Sequence, residues 1–148
     1  VGYAIFAGDV PVDVGHMQTN VAWPETLTVV AQWLNNSVFT WGPIDAVASE
    51  MPVYYRNAKT TIMLAQLVGV IRYVARNHGP FIEVLPSERL LALGLPIHLP
   101  RKVAKAAVMR LVNAEFGLSI SSDHESDAIA VGLAALRKLK IEEMERKG

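Results

Sequence analysis

The chain of 148 residues has no cysteine, and no lysine or arginine among its first 50 residues. The first absence removes disulfides, thiolate nucleophiles and thiolate metal ligands, and gives no sign of an oxidising compartment. The cytoplasm is the expected location by default. The second absence makes the charge uneven although its total is zero. Residues 1–50 carry five acids (Asp9, Asp13, Glu25, Asp45, Glu50) and no compensating base, whereas residues 51–118 carry nine bases against three acids. A neutral total argues against indiscriminate nucleic-acid binding. The middle third reads equally as a basic face or as charges spread over solvated helices. Long apolar runs are missing as well: residues 128–136 make a stretch of nine, far short of a membrane span. No signal-peptide pattern opens the chain. Nor is there a Gly-rich phosphate loop, a dinucleotide fingerprint, a His-Glu-x-x-His or a Gly-x-Ser-x-Gly.

What is present is a composition of 51% apolar and 19% charged residues. That balance, at this length, predicts one compact domain over 1–148 with a real core. Two β-rich runs, 1–6 and 10–17, flank "AGD" and predict a hairpin. "WPETLTVVAQWLNN" predicts a helix with Leu27, Val30, Ala31 and Leu34 on one face. Residues 44–50 alternate as a strand that Pro52 ends. Asn57 is placed to cap a long helix closed by Gly79, apolar on more than one side, so that it needs two partners. "PFIEVLP" reads as a buried strand. One helix then runs from Pro100 to Gly117 and another starts near Ser122. The order predicts an α/β layered domain with parallel strands in its second half.

The chemistry left to such a chain is that of carboxylates at the ends of elements. Glu50 falls at the C-terminal edge of its strand, where open α/β sheets place functional residues. In "SSDHESDAIAVGLAAL", Asp127 follows His124 by three residues and shares its side of the helix. Oxygen ligands from separated segments suit hard Mg²⁺. The same stretch also reads as an ordinary helix start: Ser122 and Glu125 have capping-box spacing, and Asp123 complements the helix dipole.

Several ordered segments resemble the RuvC-type Holliday-junction resolvases. "VGYAIF" is similar to the family's second strand, and "DAVASEMPVYYRNAKTTIMLAQLVGVI" to its glutamate-bearing strand, aromatic loop and Gln-containing helix. "IEVLPSERLLALG" resembles the next strand and its basic segment. "RKVAKAAVMRLV" resembles the lysine-bearing helix start, and "DHESDAIAVGLAAL" the acid-rich ending. The resemblance implies a ribonuclease-H-like α/β fold, a mixed sheet flanked by helices. It implies a homodimeric endonuclease that resolves four-way DNA junctions by two-metal hydrolysis, with Mg²⁺ or Mn²⁺ and two ions per site. Glu50, Asp127 and His124 would be the metal ligands and, with Lys105, the catalytic residues. Tyr54, Tyr55, Arg56, Arg89, Arg101, Lys102 and Lys105 would meet the DNA, and helix 58–77 would form the dimer. The family's pattern begins one strand earlier, with an Asp followed by Pro-Gly ahead of "VGYAIF". That first central strand is missing here, so a longer parent protein is expected, and activity is expected of the parent rather than of the chain as written. The alternative is a non-catalytic junction-binding protein on the same fold.

Overall fold

The computed structural model describes residues 1–53 and 57–148. In chain order its elements are β1 (Gly2–Ala7), β2 (Val10–His16), α1 (Glu25–Trp33), β3 (Val47–Glu50), α2 (Ala58–Ala75), β4 (Phe81–Val84), α3 (Pro86–Ala92), α4 (Arg101–Phe116) and α5 (Asp123–Lys147). Two compact units divide them: Val1–Met17 with Pro86–Gly148, and Gln18–Leu85.

In the first unit the expected hairpin forms, β1 antiparallel to β2, turning at Gly8 with φ 62°. Its register shifts between Ile5 and Phe6, where Phe6 comes to face Pro11. Proline has no N–H to give the ladder, and a bulge is where a strand tolerates it. Two glycines let the hairpin lie directly on α5. A Cβ at Gly2 would strike the His124 carbonyl, and one at Gly132 would strike the Phe6 ring. Helix α4 starts after Pro100 and stops at Gly117, which takes the left-handed conformation (φ 62°, ψ 36°) that glycine adopts without a Cβ penalty. Ala104, Val108 and Val112, four residues apart, turn one stripe of α4 into a core with Leu90, Ile129 and Ala130. Ile129 is fully buried, worth about 2–3 kcal/mol of hydrophobic stabilisation. Ser126 on the same face is also fully buried, and its hydroxyl donates to the Asp123 carbonyl at 3.2 Å.

In the second unit, α1 is shorter than its pattern suggests and passes at Leu34–Val38 into a π-type turn. Asn57 caps α2 as expected, its Oδ1 accepting from the Lys59 and Thr60 amides at 2.9 and 3.4 Å. The helix ends at Ala75, two residues before the expected 77, because Arg76 and His78 donate to carbonyls three residues back and tighten the chain. β3 and β4 pair in parallel, with Glu50 opposite Val84. β3 begins at Val47 rather than at 44. Its partner starts only at Phe81, and Pro80 has no N–H with which to extend the ladder upstream. The sequence reading also missed α3 altogether.

Candidate active site

Every expected site residue except three can be placed. Tyr54, Tyr55 and Arg56 lie outside the described residues. Glu50 is the last residue of β3, half-buried at the strand's C-terminal end in the Gln18–Leu85 unit. Asp127, His124, Lys105 and Arg89 belong to the other unit, and there the structure brings them together on the starts of α5 and α4 and on α3.

Asp127 sits between the fully buried Ser126 and the apolar stripe of α5. Arg89 Nη1, from α3, lies 3.2 Å from Asp127 Oδ2, with both side chains mostly buried. The second oxygen, Oδ1, is buried without a hydrogen-bond partner. Burial pushes the Asp127 carboxyl above the ordinary aspartate range, and repulsion from Asp123 adds to it. Arg89, Lys105 and His124 pull the other way without cancelling the desolvation. A carboxylate left uncomfortable in this way is a frequent mark of a functional group.

Lys105 Nζ contacts Asp123 Oδ2 at 2.6 Å, and that hydrogen bond is the main reason the Asp123 carboxyl titrates below its usual range. Both partners are more than a third exposed, so the pair adds little to stability. His124 is exposed, its ring centroid 6.5 Å from that of His16. The expected capping box does not form. Ser122 is the N-cap but makes no side-chain cap bond, and the Glu125 carboxylate instead meets His16 Nδ1 at 3.0 Å. His16 in β2 therefore competes successfully for the glutamate from 109 residues away.

Arg101 and Lys102 are exposed on the first turn of α4, a turn without any acid. Positive charge at a helix N-terminus opposes the dipole, by about 0.3–1 kcal/mol per group. An anion lying over the turn would reverse that cost.

Sequence reasoning missed two features of the site. One is Asp123 as the partner of Lys105. The other is Asn113, whose side chain accepts from the Ile120 amide and donates to the Ile120 carbonyl, both at 2.9 Å, pinning the loop that leads into α5. An Asn in the last turn of a helix that ends at a glycine was the available signal.

The divalent cation implied by the resemblance fits these donors in kind. Asp127 Oδ1 is a buried oxygen with no partner, and hard cations take oxygen. Among the described residues, however, no three His or acidic side chains gather into a cation-holding group, so the donors here make part of a shell. A cleft of about 400 Å³ beside β2 carries Asp13 and Glu125 but none of the expected ligands.

An α/β fold with an unpartnered buried carboxylate oxygen beside basic side chains brings together groups suited to a cation and to an anion. Comparison with known proteins gives the family. No family model matches the chain. The crossover junction endodeoxyribonuclease RuvC of Synechocystis is 31% identical over 149 residues, covering 95% of this chain and 86% of that protein. Its namesake in Gloeobacter violaceus is 31% identical over 143 residues, with 90% and 79% covered. That of Brachyspira hyodysenteriae is 29% identical, with 88% and 80% covered. Among solved structures, T. thermophilus RuvC in complex with a Holliday junction substrate matches with a TM-score of 0.71 at 19% identity, over 89% of this chain and 80% of that one. A second Thermus thermophilus RuvC structure matches at 0.68 and 16%, over 95% and 87%. The chain belongs to the RuvC family of crossover junction endodeoxyribonucleases, and has its ribonuclease-H-like fold.

Proposed function

We propose that this protein is a structure-selective endodeoxyribonuclease that resolves four-way DNA junctions, as a single nuclease domain over 1–148 working in a homodimer. The observation that carries the reading is the half-satisfied Asp127 carboxylate, set among Arg89, Lys105 and His124 in a chain of the RuvC family. Glu50 and Asp127 hold the divalent metal, Mg²⁺ or Mn²⁺ and two ions per site, with His124 as a further ligand or a group that orients water. When bound, the metal supplies Lewis acidity at the scissile phosphate. Lys105 and Arg89 bring positive charge to the same phosphate, and Lys105 exchanges its contact with Asp123 for one with the DNA. Arg101 and Lys102 hold the backbone of a neighbouring arm from the open N-terminus of α4. Tyr54 and Tyr55 stack on a base near the crossover, with Arg56 beside them on the DNA.

The dimer forms through α2 and the residues just after it, 58–77. Ile62 and Tyr73 there are more than half exposed, large apolar surfaces that a second copy would cover. Two sites related by a two-fold axis then cut opposed strands symmetrically, leaving ligatable 5′-phosphate ends. No described helix is long and apolar enough to cross a membrane. The proposed setting is the cytoplasm of a bacterial or phage-infected cell, where such a DNA substrate is met.

The test is a pair of variants of the full-length protein, Glu50→Gln and Asp127→Asn. Each should keep junction binding in a gel-shift assay while losing about a thousandfold or more in cleavage, the scale of several kcal/mol of lost metal stabilisation. Cleavage within about threefold of the parent for either variant, less than 1 kcal/mol of barrier, would remove that carboxylate from the site.

A further inference from the structure

Asp127 is held unevenly. Arg89 Nη1 contacts Oδ2 at 3.2 Å, and Oδ1, which is out of solvent, accepts nothing. An arginine whose whole task is to neutralise a carboxylate commonly grips both oxygens in a parallel fork. Here only one oxygen is gripped, and the other carries the desolvation cost of an unmet acceptor. The torsion that exchanges the two oxygens is broad and nearly two-fold, so an unanchored aspartate would offer either one. Lys105 does not supply the anchor, because its close carboxylate contact is with Asp123 at 2.6 Å.

Arg89 is itself well placed to be an anchor. It lies on α3, which packs against α5 through the buried Leu90 in the common core. Glu88 beside it meets Lys138 of α5 at 2.8 Å, so α3 is fastened to the helix that carries Asp127 at a second point. We propose that Arg89 is a positioning residue: it fixes Asp127 through Oδ2 and thereby presents Oδ1 as the single ligating oxygen for the divalent cation. The inference rests on the reading of Asp127 as a metal ligand. Groups that orient a ligand in this way act on metal affinity itself, before any DNA is present.

The experiment is a titration of the full-length protein with Mn²⁺ alone, followed by electron paramagnetic resonance of the free ion, for wild type, Asp127→Asn, Arg89→Gln and Arg89→Lys. Asp127→Asn should lose most of the binding. Arg89→Gln should weaken it about tenfold or more, and Arg89→Lys should recover part, since lysine keeps the charge but not the planar donor geometry. Affinity in Arg89→Gln equal to or tighter than wild type would overturn the assignment, and would make Arg89 a counter-ion that the metal displaces. If Asp127→Asn binds like wild type, the ligand reading itself fails and the anchor with it. Should Arg89→Gln not fold, Arg89→Lys carries the test. A weakening of about threefold or more supports the anchor, and unchanged affinity overturns it.

Discussion

Replacing Asn113 with alanine should loosen the entrance to the site without touching any proposed ligand. The Asn113 amide group makes two hydrogen bonds of 2.9 Å to one peptide group, that of Ile120, while its own backbone carbonyl accepts from Leu118 at 3.0 Å. Alanine keeps the backbone bond and removes the other two. At about 1 kcal/mol each, with Ile120 half-buried and only partly rescued by water, the loss comes to about 2 kcal/mol. For a chain of this length that corresponds to a melting temperature lower by about 4–8 °C. Urea and thermal unfolding measure it directly. Asn113→Asp keeps the acceptor for the Ile120 amide and loses the donor, so it should fall between the two. Because the loop leads into Ser122 and Asp123, junction cleavage should drop by a modest factor, far less than for Asp127→Asn. A stability change below about 0.5 kcal/mol, the range of an indifferent surface substitution, would refute the idea that this side chain pins the loop.

Three further outcomes follow from the same structure. Gly132→Ala should destabilise the chain by about 1–3 kcal/mol, since the new methyl meets the Phe6 ring, and unchanged denaturant midpoints would mean that β1 does not lie on α5 as described. Arg101→Ala and Lys102→Ala should each lower the slope of log binding constant against log salt by about 0.9, whereas an unchanged slope would take that residue off the phosphate backbone. Tyr3 is held above the ordinary tyrosine value of 10.0 by burial first, then by its hydrogen bond to Asp13 and that group's charge. The folded chain therefore binds more protons than the unfolded one above pH ~10. Tyr3's contribution to stability is whole below that value and is lost as pH rises through the folded pKa. Tyrosinate absorbance should show one late phase that Tyr3→Phe removes. All four tyrosines ionising together would contradict this.

How far the sequence speaks depends on the range of the interaction. The hairpin, the Asn57 cap and the Pro100-to-Gly117 helix were legible because turn chemistry and caps act within a few residues. The upstream limit of β3 was not, since it is set by where a partner strand 30-odd residues later can first pair. Ser122 and Glu125 have the spacing of a capping box, yet a histidine on a distant strand takes the glutamate. The seven-residue α3 is too short for helical periodicity to stand out, although Pro86 opening it, Glu88 in its first turn and Gly94 after it were all readable. The site divides in the same way. Asp127 is legible because it follows His124 by three residues and shares its side of the helix, which is a local property. Its unequal hold by Arg89 required two helices to pack, and no local pattern could announce it.

The central claim is that this protein cuts DNA because the DNA is branched. The most direct measurement is to incubate the full-length protein with a four-way junction labelled on each strand in turn, beside a linear duplex of matching sequence, with Mg²⁺ and with chelator. Paired cuts at symmetric positions in opposed strands of the junction, absent from the duplex and abolished by chelator, are the expected result. Equal cleavage of the duplex, or junction cleavage that persists with the metal removed, would contradict the account.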